Sequence, residues 1–263
     1  MGYFYLSAAH KSSGKTTLSI GLCAAFSGEH GLTVQPFKKG PDYIDPLWLA
    51  AAAGRPCFNL DVFMESPEAN RRLFQRHMPG ADIGIIEGNK GLFDGISTDG
   101  SDSNAAMAGL LGAPVILVID TRGMTRGIAP LLHGYATFDT EVGIAGVILN
   151  QVGGARHEAK LRAAVETYTD IPVVGAVRKN RDLVIDERHL GLMPSNEHRE
   201  ARRIIERIAA AIADGVDLDR VRAIADTAPA IDAADVPISN TFGLNVLKHF
   251  KVWTDEVRAP SGY

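Results

Sequence analysis

From Pro114 the chain reads Pro114-Val115-Ile116-Leu117-Val118-Ile119-Asp120, five successive apolar residues with nothing polar in alternation. Side chains of a strand point to opposite faces in turn, so a strand written this way has to be covered on both. Crossover helices on the two faces of a parallel sheet provide that cover, and this one run already favours an α/β fold. Strand-length apolar runs recur at 3–8, 33–37, 82–87, 143–150 and 171–177. Helical candidates fall between or after them at about 15–27, 67–77, 103–111, 157–168 and 198–213, the last with Ile204, Ile205, Ile208 and Ile212 on one face. A doubly wound, mostly parallel sheet is expected, with ligand chemistry at the carboxyl ends of its strands.

Composition closes off other classes. With 27 Lys+Arg against 31 Asp+Glu the formal charge is −4, which offers no broad basic surface for the phosphates of a nucleic acid. No apolar stretch approaches the roughly 18 to 20 residues of a membrane span, and Met1 to Leu6 lead straight into a strand without a basic leader, so a soluble, cytoplasmic protein is expected. Cys23 and Cys57 lack metal or disulfide spacing. Beyond residue 215 the pattern weakens, which suggests a nucleotide-binding domain over 1–215. Residues 216–263 then read as a short helix, a linker and a docking tail carrying Phe242, Phe250 and Trp253.

The segment Ala9-His10-Lys11-Ser12-Ser13-Gly14-Lys15-Thr16-Thr17 sits between the first strand and the first helix, the setting of a phosphate-binding loop. Ala9 stands where GxxxxGK[ST] has its first glycine, so that backbone position must tolerate a side chain, while Gly14-Lys15-Thr16 is intact. In such a loop the segment from His10 to Thr17 cradles ATP, Lys15 reaches the β/γ oxygens, and the Thr16 hydroxyl joins Mg²⁺. Partition and septum-site ATPases carry a second lysine five residues before the loop lysine. His10 stands there instead, which weighs against a switch ATPase of that kind; His10 also reads as a solvated loop residue.

Three further strand ends carry chemistry. Phe37-Lys38-Lys39-Gly40-Pro41-Asp42-Tyr43-Ile44-Asp45-Pro46 turns at Gly40-Pro41 and presents Asp42 and Asp45 beside the phosphate loop. Asp42 is a candidate metal ligand, Asp45 a candidate catalytic carboxylate and Lys38 a cation for a transferring phosphoryl group. Glu87 emerges from Ile85-Ile86 at the Walker B position as a second metal ligand beside Thr16. Asp94, farther along Gly88-Asn89-Lys90-Gly91-Leu92-Phe93-Asp94-Gly95, could orient substrate or ammonia. Asn150 ends the fifth run where an adenine ring is often read, Ser101 to Asn104 read as a helix cap, and Asp120 as a strand-end turn residue.

Taken together with Asn59-Leu60-Asp61, Ile148-Leu149-Asn150, Arg156-His157 and Glu187-Arg188-His189-Leu190-Gly191-Leu192, these motifs resemble the ATP-binding domain of the cobyrinic acid a,c-diamide synthases over about residues 3–215. The GPDYIDP and EGxxGLFDG segments are far more specific than the phosphate loop. The resemblance implies that ATP phosphorylates a tetrapyrrole carboxylate and ammonia displaces the phosphate to leave an amide. It also implies a homodimer. Family members continue into a glutamine amidotransferase domain whose nucleophilic cysteine sits at a strand-to-helix elbow, a setting neither Cys23 nor Cys57 has; the resemblance then implies ammonia from solution or from a separate amidotransferase. Asn89-Lys90 departs from the apolar or small residue and Met of many relatives, so cobyrinic acid, sirohaem-like and nickel-tetrapyrrole carboxylates all stay open as substrates. Competing readings are a nucleotide-dependent accessory ATPase that binds a partner without amidating, and a dethiobiotin-synthetase-like carboxylation ligase.

Overall fold

The computed structural model describes residues 1–139, 141–185, 187–188, 191–192, 195 and 200–231. Asp186, His189, Leu190, the expected helix start at His198 and the tail aromatics Phe242, Phe250 and Trp253 lie outside them.

Seven strands, β1 (Gly2–Ala8), β2 (Val34–Lys39), β3 (Phe58–Leu60), β4 (Ile83–Glu87), β5 (Val115–Asp120), β6 (Ile144–Val152) and β7 (Val173–Arg178), form one sheet in the order β3-β2-β4-β1-β5-β6-β7. All its pairings are parallel. The expected doubly wound parallel sheet is what forms. Its layers follow from the double-sided strands: in β1, Phe4, Leu6 and Ala8 face one apolar cluster while Tyr3 and Tyr5 face the other.

The first cluster holds buried residues of α1 (Lys15–Gly28), α2 (Asp45–Ala53), α7 (Ala201–Gly215) and α8 (Leu218–Ala225). On the second are α3 (Pro67–His77), α4 (Asn104–Leu111), α5 (Ile128–Phe138) and α6 (Ala155–Tyr168). The isoleucine stripe of α7 does what its spacing requires, burying Ile204, Ile208 and Ile212 at about 1.5–3 kcal/mol each. Close approach of α1 and α7 depends on Gly21, where a Cβ would lie 2.2 Å from the Ile212 side chain. The compact unit runs from Met1 to Ile231, because α8 returns Val221 and Ala225 to the first cluster.

Among the described residues, three elements near the sheet and site go beyond what was expected. The three-residue strand β3 pairs only at the sheet edge, too short to show a pattern. Helix α5 contains Pro130 and Gly134, which mask its periodicity. Helix α2 begins at Asp45 with Pro46 in its first turn, so the GPDYIDP segment is a turn feeding a helix, and Ala50–Ala53 is that helix's last turn. No helix among the described residues is long and apolar enough to cross a membrane.

Candidate active site

The carboxyl ends of β1, β2 and β4 open onto one place, because β4 lies between β1 and β2. The phosphate loop leaves β1 there and turns into α1 through two left-handed residues, Ser12 (φ 64°) and Gly14 (φ 87°). Ala9 is not among the left-handed residues, which is why alanine serves where the motif has glycine. At Gly14 a side chain is excluded twice, by its φ and by the Asn150 amide nitrogen, which would lie 2.2 Å from a Cβ. That nitrogen donates to the Ser13 carbonyl at 2.8 Å. Asn150 thus braces the phosphate loop from β6, and any contact with a base would fall to its amide oxygen.

At the centre lies a buried ion cluster. Glu87, at the end of β4, is fully buried, and its Oε1 accepts from Thr16 Oγ1 at 2.7 Å and from Lys38 Nζ at 2.9 Å. Lys38 also donates to Asp45 Oδ2 at 2.6 Å, and Thr16 Oγ1 lies 3.2 Å from the same oxygen. Among the described residues, Glu87 Oε2 has no hydrogen-bond partner. Leaving such an oxygen buried costs at least about 1–3 kcal/mol, which a donor or cation placed there would relieve.

Electrostatics follow from burial and this crowding. Burial pushes the Glu87 carboxyl up while Lys38 pulls it down. Burial would lower the Lys38 ammonium, but Glu87 and then Asp45 outweigh it and hold its pKa well above the ordinary lysine value. Lys15 is lowered to about 8 by burial, against the charge of Glu87 and with that of Lys38; its amine donates to the Lys90 carbonyl.

The sequence candidates separate by position. Lys15, Thr16, Lys38, Asp45 and Glu87 come together. Asp42 Oδ1 accepts from the backbone N–H groups of Ile44 and Asp45 at 2.9 and 3.1 Å, and its other oxygen stands 3.9 Å from Lys38. Asp45, rather than Asp42, reaches Thr16. His10 and Lys11 are exposed on the loop, where His10 Nδ1 lies 2.7 Å from the Lys11 carbonyl oxygen and Ser13 Oγ donates to the His10 carbonyl at 2.7 Å. Asp94 is exposed and accepts from Gly91 N at 3.0 Å. Ser103 is the N-cap of α4, accepting from Ala106 N at 3.1 Å. His157 Nδ1 accepts from Gly153 N at 3.0 Å, and its Nε2 lies 2.6 Å from the Met124 carbonyl oxygen. Cys23 and Cys57 are free thiols whose pKa burial pushes up, unlike an activated nucleophile.

Two residues with a bearing on the site were missed. Tyr135 of α5 donates from its hydroxyl to the Ala9 carbonyl, and Asn104 of α4 binds Tyr5 and the loop after β4. Tyr5 held a signal, since a tyrosine in a strand covered on both faces needs a partner for its hydroxyl.

Similarity to known proteins fits this geometry. The family described as the CobQ/CobB/MinD/ParA nucleotide binding domain matches residues 8–192. A cobyrinate a,c-diamide synthase from Magnetococcus marinus is 48% identical over 89% of this chain and 50% of its own length. A hydrogenobyrinate a,c-diamide synthase from Mycobacterium bovis is 45% identical over 90% of this chain and 53% of its own. The chain therefore spans about half the length of these curated relatives. Among solved structures, the signal recognition particle receptor FtsY from Elizabethkingia anophelis is similar in fold, with TM-score 0.50, 15% identity, and coverage of 80% of this chain and 66% of that one.

Proposed function

This chain belongs to the CobQ/CobB/MinD/ParA nucleotide-binding family, and from that premise we propose that it uses ATP to activate a tetrapyrrole carboxylate for amidation, as the nucleotide-using part of an a,c-diamide synthase. Support comes from the relatives of 45 to 48% identity that bear that name. The observation that carries the reading is the buried Glu87–Lys38–Asp45–Thr16 cluster at the mouth of the phosphate loop, with one carboxylate oxygen unpartnered.

The residues fit Mg·ATP. Thr16, Asp45 and Glu87 would hold Mg²⁺, since their oxygens converge and Glu87 Oε2 is free to bind; Asp42 belongs to this reading as an outer partner through Lys38. When bound, Mg·ATP supplies the γ-phosphoryl group that converts the substrate carboxylate to an acyl phosphate. Backbone N–H groups from His10 to Thr17 and the start of α1 take the phosphates, and Lys15 neutralises their charge. Lys38 stays protonated beside Glu87 and Asp45, so it can offset charge as the phosphoryl group moves. Asp94 orients ammonia or the acceptor from the loop after β4. The lone pair of ammonia then forms the C–N bond, phosphate leaves with the bridging oxygen, and the surplus proton passes to solvent or a carboxylate. The same reading takes ammonia from solution or from a glutamine amidotransferase, and a homodimer as the assembly.

The test is incubation with Mg·ATP, ammonium and a panel of tetrapyrrole carboxylates, following ADP and product mass together. Acceptor-dependent ADP with an amide product is expected. Hydrolysis indifferent to every carboxylate would overturn the reading in favour of an accessory ATPase, and a cyclic urea product would favour a carboxylation ligase.

A further inference from the structure

Asn104, the first residue of α4, is fully buried and uses both ends of its amide. Its Oδ1 accepts from Tyr5 OH at 2.8 Å and from Asn89 N at 3.1 Å. Its Nδ2 donates to the Gly91 carbonyl at 2.6 Å and to the Asn89 carbonyl. Capping α4 does not require this side chain, because Ser103 already does that work. Three of the four contacts go instead to the backbone on either side of Lys90, a non-glycine residue held at φ 40°. The Lys90 carbonyl is the group that accepts from Lys15.

The loop is gripped from its other sides as well. Leu92 N donates to the Ala8 carbonyl at 2.8 Å, Ala105 N to the Leu92 carbonyl at 2.9 Å, and Gly91 N to Asp94 at 3.0 Å. Gly91 is so close to the phosphate loop that a Cβ there would lie 2.7 Å from the Ala9 carbonyl oxygen. One polar path therefore runs from the strand tyrosine Tyr5 through Asn104 and Lys90 to Lys15.

We propose that Asn104 is a positioning residue: by pinning residues 89–91 it sets the Lys90 carbonyl against the Lys15 amine, so that filling the phosphate loop is felt by the loop that carries Asp94. This rests on the reading of Lys15 as a phosphate ligand. Phosphate oxygens and the Lys90 carbonyl draw on the same three N–H donors, and whatever couples nucleotide to the loop couples the loop to nucleotide by the same factor.

Hydrogen exchange over residues 88–95, with Mg·ATP binding followed by calorimetry, tests it without any acceptor. In the wild type, Mg·ATP should change exchange across 88–95 by about threefold or more. Asn104→Ala should exchange there about tenfold faster without nucleotide, and Mg·ATP should no longer change it. Asn104→Asp would set a carboxylate oxygen against the Asn89 and Gly91 carbonyls in place of the two donating contacts, so exchange there should be at least as fast as in Asn104→Ala. Tyr5→Phe removes one contact, leaves the three to the backbone and should keep the nucleotide response. A purely structural role would instead speed exchange across the whole of α4 and the sheet and preserve the response. Wild-type binding without a loop response, or a response intact in Asn104→Ala, overturns the inference alone. Failure of the wild type to bind Mg·ATP overturns both the inference and the functional reading.

Discussion

Glu87 and Asp120 end the two strands that flank β1, one on each side, and both are almost wholly buried. Their surroundings differ in one respect. Asp120 accepts from Arg122 Nε at 3.0 and 2.9 Å, from Arg122 Nη2 at 2.6 Å and from its backbone N–H at 3.0 Å; burial would raise its pKa, but these bonds outweigh it and hold the carboxyl below the usual aspartate range. Glu87 shares one oxygen with Thr16 and Lys38 and, among the described residues, leaves the other unpartnered, and burial keeps its pKa up. A carboxylate satisfied by its own neighbour is part of the fold; one left short at the mouth of a phosphate loop is, in the proposed reading, where a ligand binds. The β4 side of the sheet is thus read as chemistry and the β5 side as support.

The largest expected effect breaks the β4 side. Glu87→Gln keeps the shape but removes the charge, and acceptor-dependent ADP release should fall by about a thousandfold, on the scale of losing electrostatic stabilisation of a transition state. Full activity in this variant would remove Glu87 from the metal site. Asp94→Asn should lower the rate of amide formation by about 10- to 100-fold while the Kd for Mg·ATP stays within about threefold, separating the acceptor loop from the nucleotide site.

Smaller effects probe the supporting side. Asn150→Ala removes the bond to the Ser13 carbonyl and should weaken Mg·ATP binding by about tenfold, equally for adenine and guanine nucleotides. A lost preference for adenine would assign Asn150 to the base instead. Asp120→Asn should leave turnover within about threefold and cost about 1 kcal/mol of stability, a modest figure because Arg122 is largely exposed. Since the folded-state pKa of Asp120 is depressed, its contribution is present above an unfolded value of about 4 and disappears as pH falls through the lower folded value. Urea titrations of wild type and variant should converge in that acid window.

The same contrast governs what the sequence could reveal. Unbroken apolar strands predict parallel pairing because double-sided burial leaves few alternatives; β4 and β5 are legible on that ground, and β1, β2, β6 and β7 by their recurrence between helical stretches. Glycine, lysine and threonine after a strand likewise announce a phosphate loop. What could not be read was which of two carboxylates in GPDYIDP meets Thr16. The choice depends on α2 starting at Asp45, with Asp42 holding the turn, a matter of backbone rather than residue type. Asn104 was hidden for a related reason: beside a serine cap it reads as cap sequence, and its partners Asn89 and Gly91 lie 15 and 13 residues earlier.

The most direct test of carboxylate activation follows an oxygen atom. With the accepted tetrapyrrole labelled with ¹⁸O in its carboxyl groups, Mg·ATP and ammonium, the account predicts that each amide formed is matched by one phosphate carrying a single ¹⁸O from the substrate. Amide formation accompanied by unlabelled phosphate would contradict it, because the carboxylate would then never have been phosphorylated.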